Sequence, residues 1–186
     1  MRATLETLAV ALLVGLARLV LGVVDLAGIF ALSTPLAVAP WTVVTSVYAH
    51  GSIGHLLANA LALLLVGPLV ERRTTRFRFH AFVIGTGALA GIAQVTLGGL
   101  LGPSVAVLGL SGAVFALGGY LLAGNVVSAT LFDRLRLSSR TQILLFGLAA
   151  VVLTATTAAP GVALIAHATG AFGGLVAGRA KLLDAR

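Results

Sequence analysis

Apolar residues in this chain fall in long unbroken runs, not in the alternation of a half-buried strand or the single stripe of a soluble helix. Six runs stand out, at about 5–29, 51–71, 79–99, 104–125, 141–158 and 161–178. Each approaches the roughly 20 residues that carry a helix across a bilayer. The interruptions are chemical. Pro35 and Pro40 lie in the long first loop, and the charged ERRTTRFR follows the second run. Gly98-Gly99 with Gly102-Pro103 mark a tight turn, DRLRLSSR separates the fourth and fifth runs, and Pro160-Gly161 divides the last two. The pattern predicts an all-α integral membrane protein, a bundle of six transmembrane helices. The first run is long and contains Arg18, so it reads as a retained span, not a cleaved signal peptide.

Composition fixes the solvent. The chain is 59% hydrophobic and only 9% charged, with a mean hydropathy of +1.12, far from a soluble domain of 186 residues. It has no cysteine, which excludes disulfides, thiolate metal sites and cysteine nucleophiles. A pI near 11.6 would suit a nucleic-acid binder until the basic residues are placed. Arg2 precedes the first span, and Arg72, Arg73, Arg76 and Arg78 follow the second. Arg134, Arg136 and Arg140 follow the fourth, and Arg179, Lys181 and Arg186 follow the sixth. Six alternating spans put all of these on one side and leave the other without a Lys or Arg. The positive-inside rule then makes both termini cytoplasmic in a multi-pass protein of the cell membrane. The charge expresses topology, and no nucleic-acid partner is expected. Arg18 alone lies inside a span. Seven residues from Asp25, it shares a helical face with it, as a structural pair or as an arginine that snorkels.

Orientation ranks the unusual polar residues by depth. The second span enters from outside with HGSIGHLLAN, residues 50–59, so His50, His55 and Asn59 lie in its outer part. Helical rise puts Ser111 roughly 12 Å below the turn before the fourth span, and His167 roughly 10 Å below the turn before the sixth. His55 and Asn59, four apart, share a face, whereas His50 points elsewhere or belongs to the helix entrance. Gly170 and Gly174 continue the face of His167, while Gly109, Gly112, Ala116 and Gly119 keep the fourth span thin around Ser111. Each residue has an ordinary explanation by itself. A membrane serine usually bonds its own i−4 carbonyl, a histidine near the interface usually packs, and glycine pairs usually serve packing. Their joint occurrence at one depth points to a short Ser–His hydrogen bond inside the membrane. Metal binding by His50, His55 and His167 would lack any carboxylate or thiolate at that depth, and any histidine pair one turn apart. No metal or cofactor is expected.

HGSIGHLLAN followed by GPLVE, the GLSG at 109–112, and His167 with Gly170 and Gly174 resemble, in order, three signatures of the rhomboid intramembrane serine proteases of the minimal six-span type. The resemblance runs from about Trp41 to Gly178 and makes residues 1–186 a single membrane domain. It implies that Ser111 is the nucleophile and His167 the general base, a dyad with no third carboxylate. It implies that His55, Asn59 and the Ser111 backbone N–H stabilise the oxyanion, with His50 supporting the site. Substrates would be single-span membrane proteins, cut near the outer membrane face where small residues let the helix unwind. The fifth span and TTAAPG would form the lateral entry and cap. Two positions depart from the family: Thr42 follows Trp41 where relatives commonly carry Arg, which bears on how lipid anchors the first loop, and Phe115 stands where many carry Tyr. A rhomboid-like pseudoenzyme that only binds membrane segments is the alternative, although such proteins typically lack the serine or the histidine. A transporter would string polar residues through the midplane and show an internal repeat; neither is present.

Overall fold

The computed structural model describes residues 1–102, 106–125, 128, 130, 131, 134–158 and 161–185. Of the residues used above, Pro103, Ser104, Asp133, Ala159, Pro160 and Arg186 lie outside that set. Among the described residues are seven α-helices: α1 (Arg2–Gly22), α2 (Thr42–Tyr48), α3 (Ile53–Glu71), α4 (Arg76–Leu101), α5 (Ser111–Ala123), α6 (Ser139–Ala155) and α7 (Leu164–Arg179). α1, α3 and α4 are long and apolar enough to cross a membrane, and α5 and α6 are shorter apolar helices. The fold is an all-helical membrane bundle. Its helix starts follow from local chemistry. Ser52, Thr75 and Ser138 each accept a hydrogen bond from an N–H in the first turn of the helix they precede, satisfying one of its orphan donors.

Three elements differ from the hydrophobic pattern. α1 stops at Gly22, short of 29, and Asp25 sits beyond it with φ 60. The seven-residue spacing therefore does not put Arg18 and Asp25 on a common helical face. Arg18 instead donates from Nη1 to the backbone carbonyl of His50 at 3.1 Å, tying α1 to the entrance of α3. The long first loop contains α2, which buries Thr42, Ser46, Val47 and Tyr48. Among the described residues of the fourth span, the helix starts at Ser111. Before it, Val107 exchanges two backbone hydrogen bonds with Leu32, at 2.8 and 2.9 Å, and the Gly109 N–H donates to the Ser46 carbonyl at 2.9 Å. A segment whose amides are spent on other parts of the chain cannot also form a helix. Gly109 has φ +132, which glycine adopts without strain.

α5 and α7 pack backbone to backbone at the centre. A Cβ at Gly170 would run into the carbonyl of Gly112, one at Gly174 into that of Ala116, and one at Gly178 into that of Tyr120. The three glycines stand four apart on one face of α7, so the close approach is continuous along its length. At one end of the bundle, Glu71 at the close of α3 accepts from the N–H groups of Ala3 and Thr4, at 2.9 and 3.1 Å, and so caps α1. Arg73 donates to the Gly124 carbonyl beyond α5, and Arg78 to the Asp184 carbonyl beyond α7. The arginines after α3 therefore gather with the start of α1 and the ends of α5 and α7. The histidine-rich entrance of α3 and the starts of α5 and α7 lie at the other end.

Candidate active site

Ser111, His167, His55 and Asn59 all line one cavity of about 590 Å³. The residues that the sequence ranked at one depth share this cavity, by a construction that differs from the expected one. Each residue sits near the start of its helix, with Ser111 opening α5, His55 two residues into α3 and His167 three into α7. Ser111 does not lie deep along a helical span. As the first residue of α5 it has no preceding helical turn whose carbonyl its hydroxyl could occupy. The first N–H groups of a helix have no partner inside it, and the N-terminus carries a partial positive charge. The Ser111 N–H is one of these groups. The first α5 amide bonded within this turn is that of Val114, which reaches the Leu110 carbonyl at 3.0 Å.

Phe115, one turn after Ser111 on the same face of α5, stacks on His167 with ring centroids 4.4 Å apart and planes 20° from parallel. That contact sets the imidazole of α7 beside the serine face of α5. Among the hydrogen bonds of the described residues, none joins Ser111 to His167 directly. Catalytic contacts of this kind are commonly long in a substrate-free site and close on binding. His167 is bonded on its other side: Nδ1 lies 3.1 Å from Thr157 Oγ1. Thr157, two residues beyond α6, also lines the cavity. Sequence reasoning missed it. It sits in TTAAPG, where nothing in spacing or composition sets one threonine above its neighbour.

The opposite wall is built by α3. Asn59 is buried and donates one amide hydrogen from Nδ2 to the His55 carbonyl at 3.0 Å, so its second amide hydrogen remains. The His55 ring packs where a side chain at Gly109 would be: an added Cβ there would lie 2.7 Å from His55 Cε1. Gly109 thus supports the site twice, through its backbone conformation and by making room. His50 does not line the cavity. It is buried in the link from α2 to α3, edge-on to His55 with ring centroids 5.0 Å apart. Burial, and then the neighbouring His55, push its pKa down to about 4. The neutral ring donates from Nδ1 to the Tyr48 carbonyl at 3.0 Å, and its buried Nε2 has no partner among the described residues. Thr42, the departure after Trp41, turns inward and donates to the Ala39 carbonyl at 2.6 Å. No group of three or more His, Cys, Asp or Glu side chains among the described residues could hold a metal.

Comparison with known proteins settles the lineage. The family model described as "Rhomboid domain" matches residues 38–183, most of the chain and every cavity residue named above. The chain belongs to the rhomboid family. It is similar to "RHOMBOID-like protein 5" of Arabidopsis thaliana, 30% identical over 105 residues, which make up 56% of this chain and 33% of that relative. The match thus spans about a third of the plant protein. The rhomboid family includes serine proteases, and its members are multi-pass integral membrane proteins.

Proposed function

We propose that this rhomboid is an intramembrane serine protease that cuts single-span membrane proteins near the outer membrane face. The observation carrying the reading is the pairing across one cavity of Ser111, at the uncapped start of α5, with His167, held against Phe115. Serine is a weak nucleophile until a base takes its proton. In this reading His167 takes it as Ser111 Oγ attacks the scissile carbonyl, then gives it to the departing amine. Water enters by the same cavity, loses its proton to His167 and releases the acyl group. The developing oxyanion is met by the Ser111 N–H, the free amide hydrogen of Asn59 and the His55 ring. The first two are donors whatever the protonation state of the site, so two of the three are in place before substrate arrives.

A transmembrane helix hides its carbonyls in its own hydrogen bonds. The cavity's position at the starts of α3, α5 and α7 therefore favours substrates that unwind close to one membrane surface. Basic residues cluster at the far end of the bundle, which supports a cytoplasmic position for that end and an outer position for the cavity. The α6–α7 connection contributes Thr157, Gly161, Val162 and Ala163 to the cavity wall, in keeping with entry and capping on that side. Labelling with a fluorophosphonate tests the reading, because the reagent needs an activated serine. The purified protein is expected to label at Ser111 and to lose labelling in Ser111→Ala and in His167→Ala. A folded protein that never labels and never cleaves would instead be a membrane-segment binder.

A further inference from the structure

The bonding of one hydroxyl fixes the proton on the candidate base. Thr157 Oγ1 lies 2.8 Å from the Thr154 carbonyl oxygen and 3.1 Å from His167 Nδ1. A hydroxyl has one hydrogen to donate and can accept through its lone pairs. A carbonyl oxygen cannot donate. The Thr154 carbonyl also accepts the Thr157 N–H at 2.9 Å, which satisfies one of the orphan carbonyls at the end of α6. The 2.8 Å contact between two oxygens therefore needs the Thr157 hydrogen; without it, two lone pairs would face each other. With that hydrogen committed, the contact to His167 holds only if the ring nitrogen is the donor.

We infer that Thr157 holds neutral His167 as its Nδ1–H tautomer and leaves the Nε2 lone pair for Ser111. Thr157 is a positioning residue that acts through His167, and its catalytic meaning rests on the protease reading above. The proton balance is simple. Nε2 takes the proton from Ser111 Oγ as the new C–O bond forms, giving an imidazolium with both nitrogens protonated. That proton passes from Nε2 to the departing amine as the C–N bond breaks, while Nδ1 keeps its own proton on Thr157 throughout. A neutral hydroxyl here takes the orienting part that a carboxylate plays in Ser-His-Asp enzymes. It orients the ring without adding a charge to an apolar setting, where an unpaired carboxylate would be costly. The orienting group also lies on the α6–α7 connection.

Nitrogen-15 spectra of histidine-labelled protein in detergent test this without relying on activity. His167→Gln assigns the His167 signals among the four histidines. The parent is expected to show Nδ1 protonated and Nε2 unprotonated. Thr157→Val keeps the branched shape and removes the hydroxyl, and should shift the ring toward the Nε2–H form. Thr157→Ser should restore the parent pattern. In cleavage assays Thr157→Val should lower kcat roughly tenfold or more with KM unchanged, as a lost orientation of the base does, and Thr157→Ser should recover most of it. A parent ring protonated at Nε2, or a Thr157→Val protein with unaltered tautomer and rate, overturns the inference even where proteolysis stands. The parent tautomer as stated in a protein that neither labels nor cleaves would retire the protease reading and leave the hydrogen-bond assignment intact.

Discussion

In the proposed mechanism, Asn59 and His55 each combine a structural contact with a part in the chemistry. Asn59 spends one amide hydrogen on the His55 carbonyl, which leaves a second to donate. Replacing it by alanine would remove a proposed oxyanion donor while the Ser111 N–H remains. Loss of one such donor commonly costs about 10²–10³ in rate. Asn59→Ala and His55→Ala are therefore expected to be slow and still labelled by fluorophosphonate, whereas Ser111→Ala is expected to be inactive. Single-turnover cleavage of a single-span substrate separates the cases, and a Ser111→Ala protein cleaving at the parent rate would remove the serine from the mechanism. That these residues would come together was legible in the sequence, because polar side chains stood beside glycines at matching positions of three spans, and they line one cavity. Thr157 was not legible. Its inferred role rests on a hydrogen bond between the end of α6 and the first turn of α7, and a threonine-rich loop carries no mark of which hydroxyl meets the ring.

At the scale of elements, the geometry of the serine depends on how closely α5 and α7 approach. Gly174 faces the Ala116 carbonyl with no room for a methyl group, while Gly173, its neighbour in sequence, faces open space. Gly174→Ala should force the two helices apart, with a cost of about 1–3 kcal/mol or more for overpacking, and should lower activity with stability. Gly173→Ala should leave packing intact and, by helix propensity, stabilise by up to about 1 kcal/mol. Thermal unfolding in detergent, followed by circular dichroism, distinguishes them; equal melting temperatures would contradict the backbone contact. The glycine spacing of α7 was readable from sequence, since steps of four define one face. The start of α5 was not. An apolar run looks alike whether extended or helical, and what holds Val107 and Gly109 outside the helix is pairing with Leu32 and Ser46, which are distant in sequence.

Across the whole molecule, charge and chemistry separate to opposite ends. Glu6 gathers Arg2 at 3.1 Å and Arg76 at 2.6 Å, so the starts of α1 and α4 meet at the basic end. The hydrogen bonds of Arg73 and Arg78 bring the ends of α5 and α7 to the same place. Ser46, Gly109 and the cavity residues occupy the other end. The alternation of six runs made this division readable from sequence. The unreadable part was the first loop, where α2 and the Arg18 contact to His50 form by tertiary packing that no periodicity announces. A bilayer bearing negative charge on its cytoplasmic surface would hold the basic end there, at about 1 kcal/mol per nearby Lys or Arg. Because the chain has no cysteine, single substitutions report accessibility without background. Thr75→Cys and Ser138→Cys, at exposed positions of the basic end, are expected to resist an impermeant maleimide in intact cells and to label after permeabilisation. Ser33→Cys, beside the Leu32 pairing at the cavity end, should label in intact cells. The reverse pattern would place the candidate site at the cytoplasmic surface. The same residues would then meet substrates from the opposite side of the membrane, where the surface charge would oppose the orientation that the arginines favour.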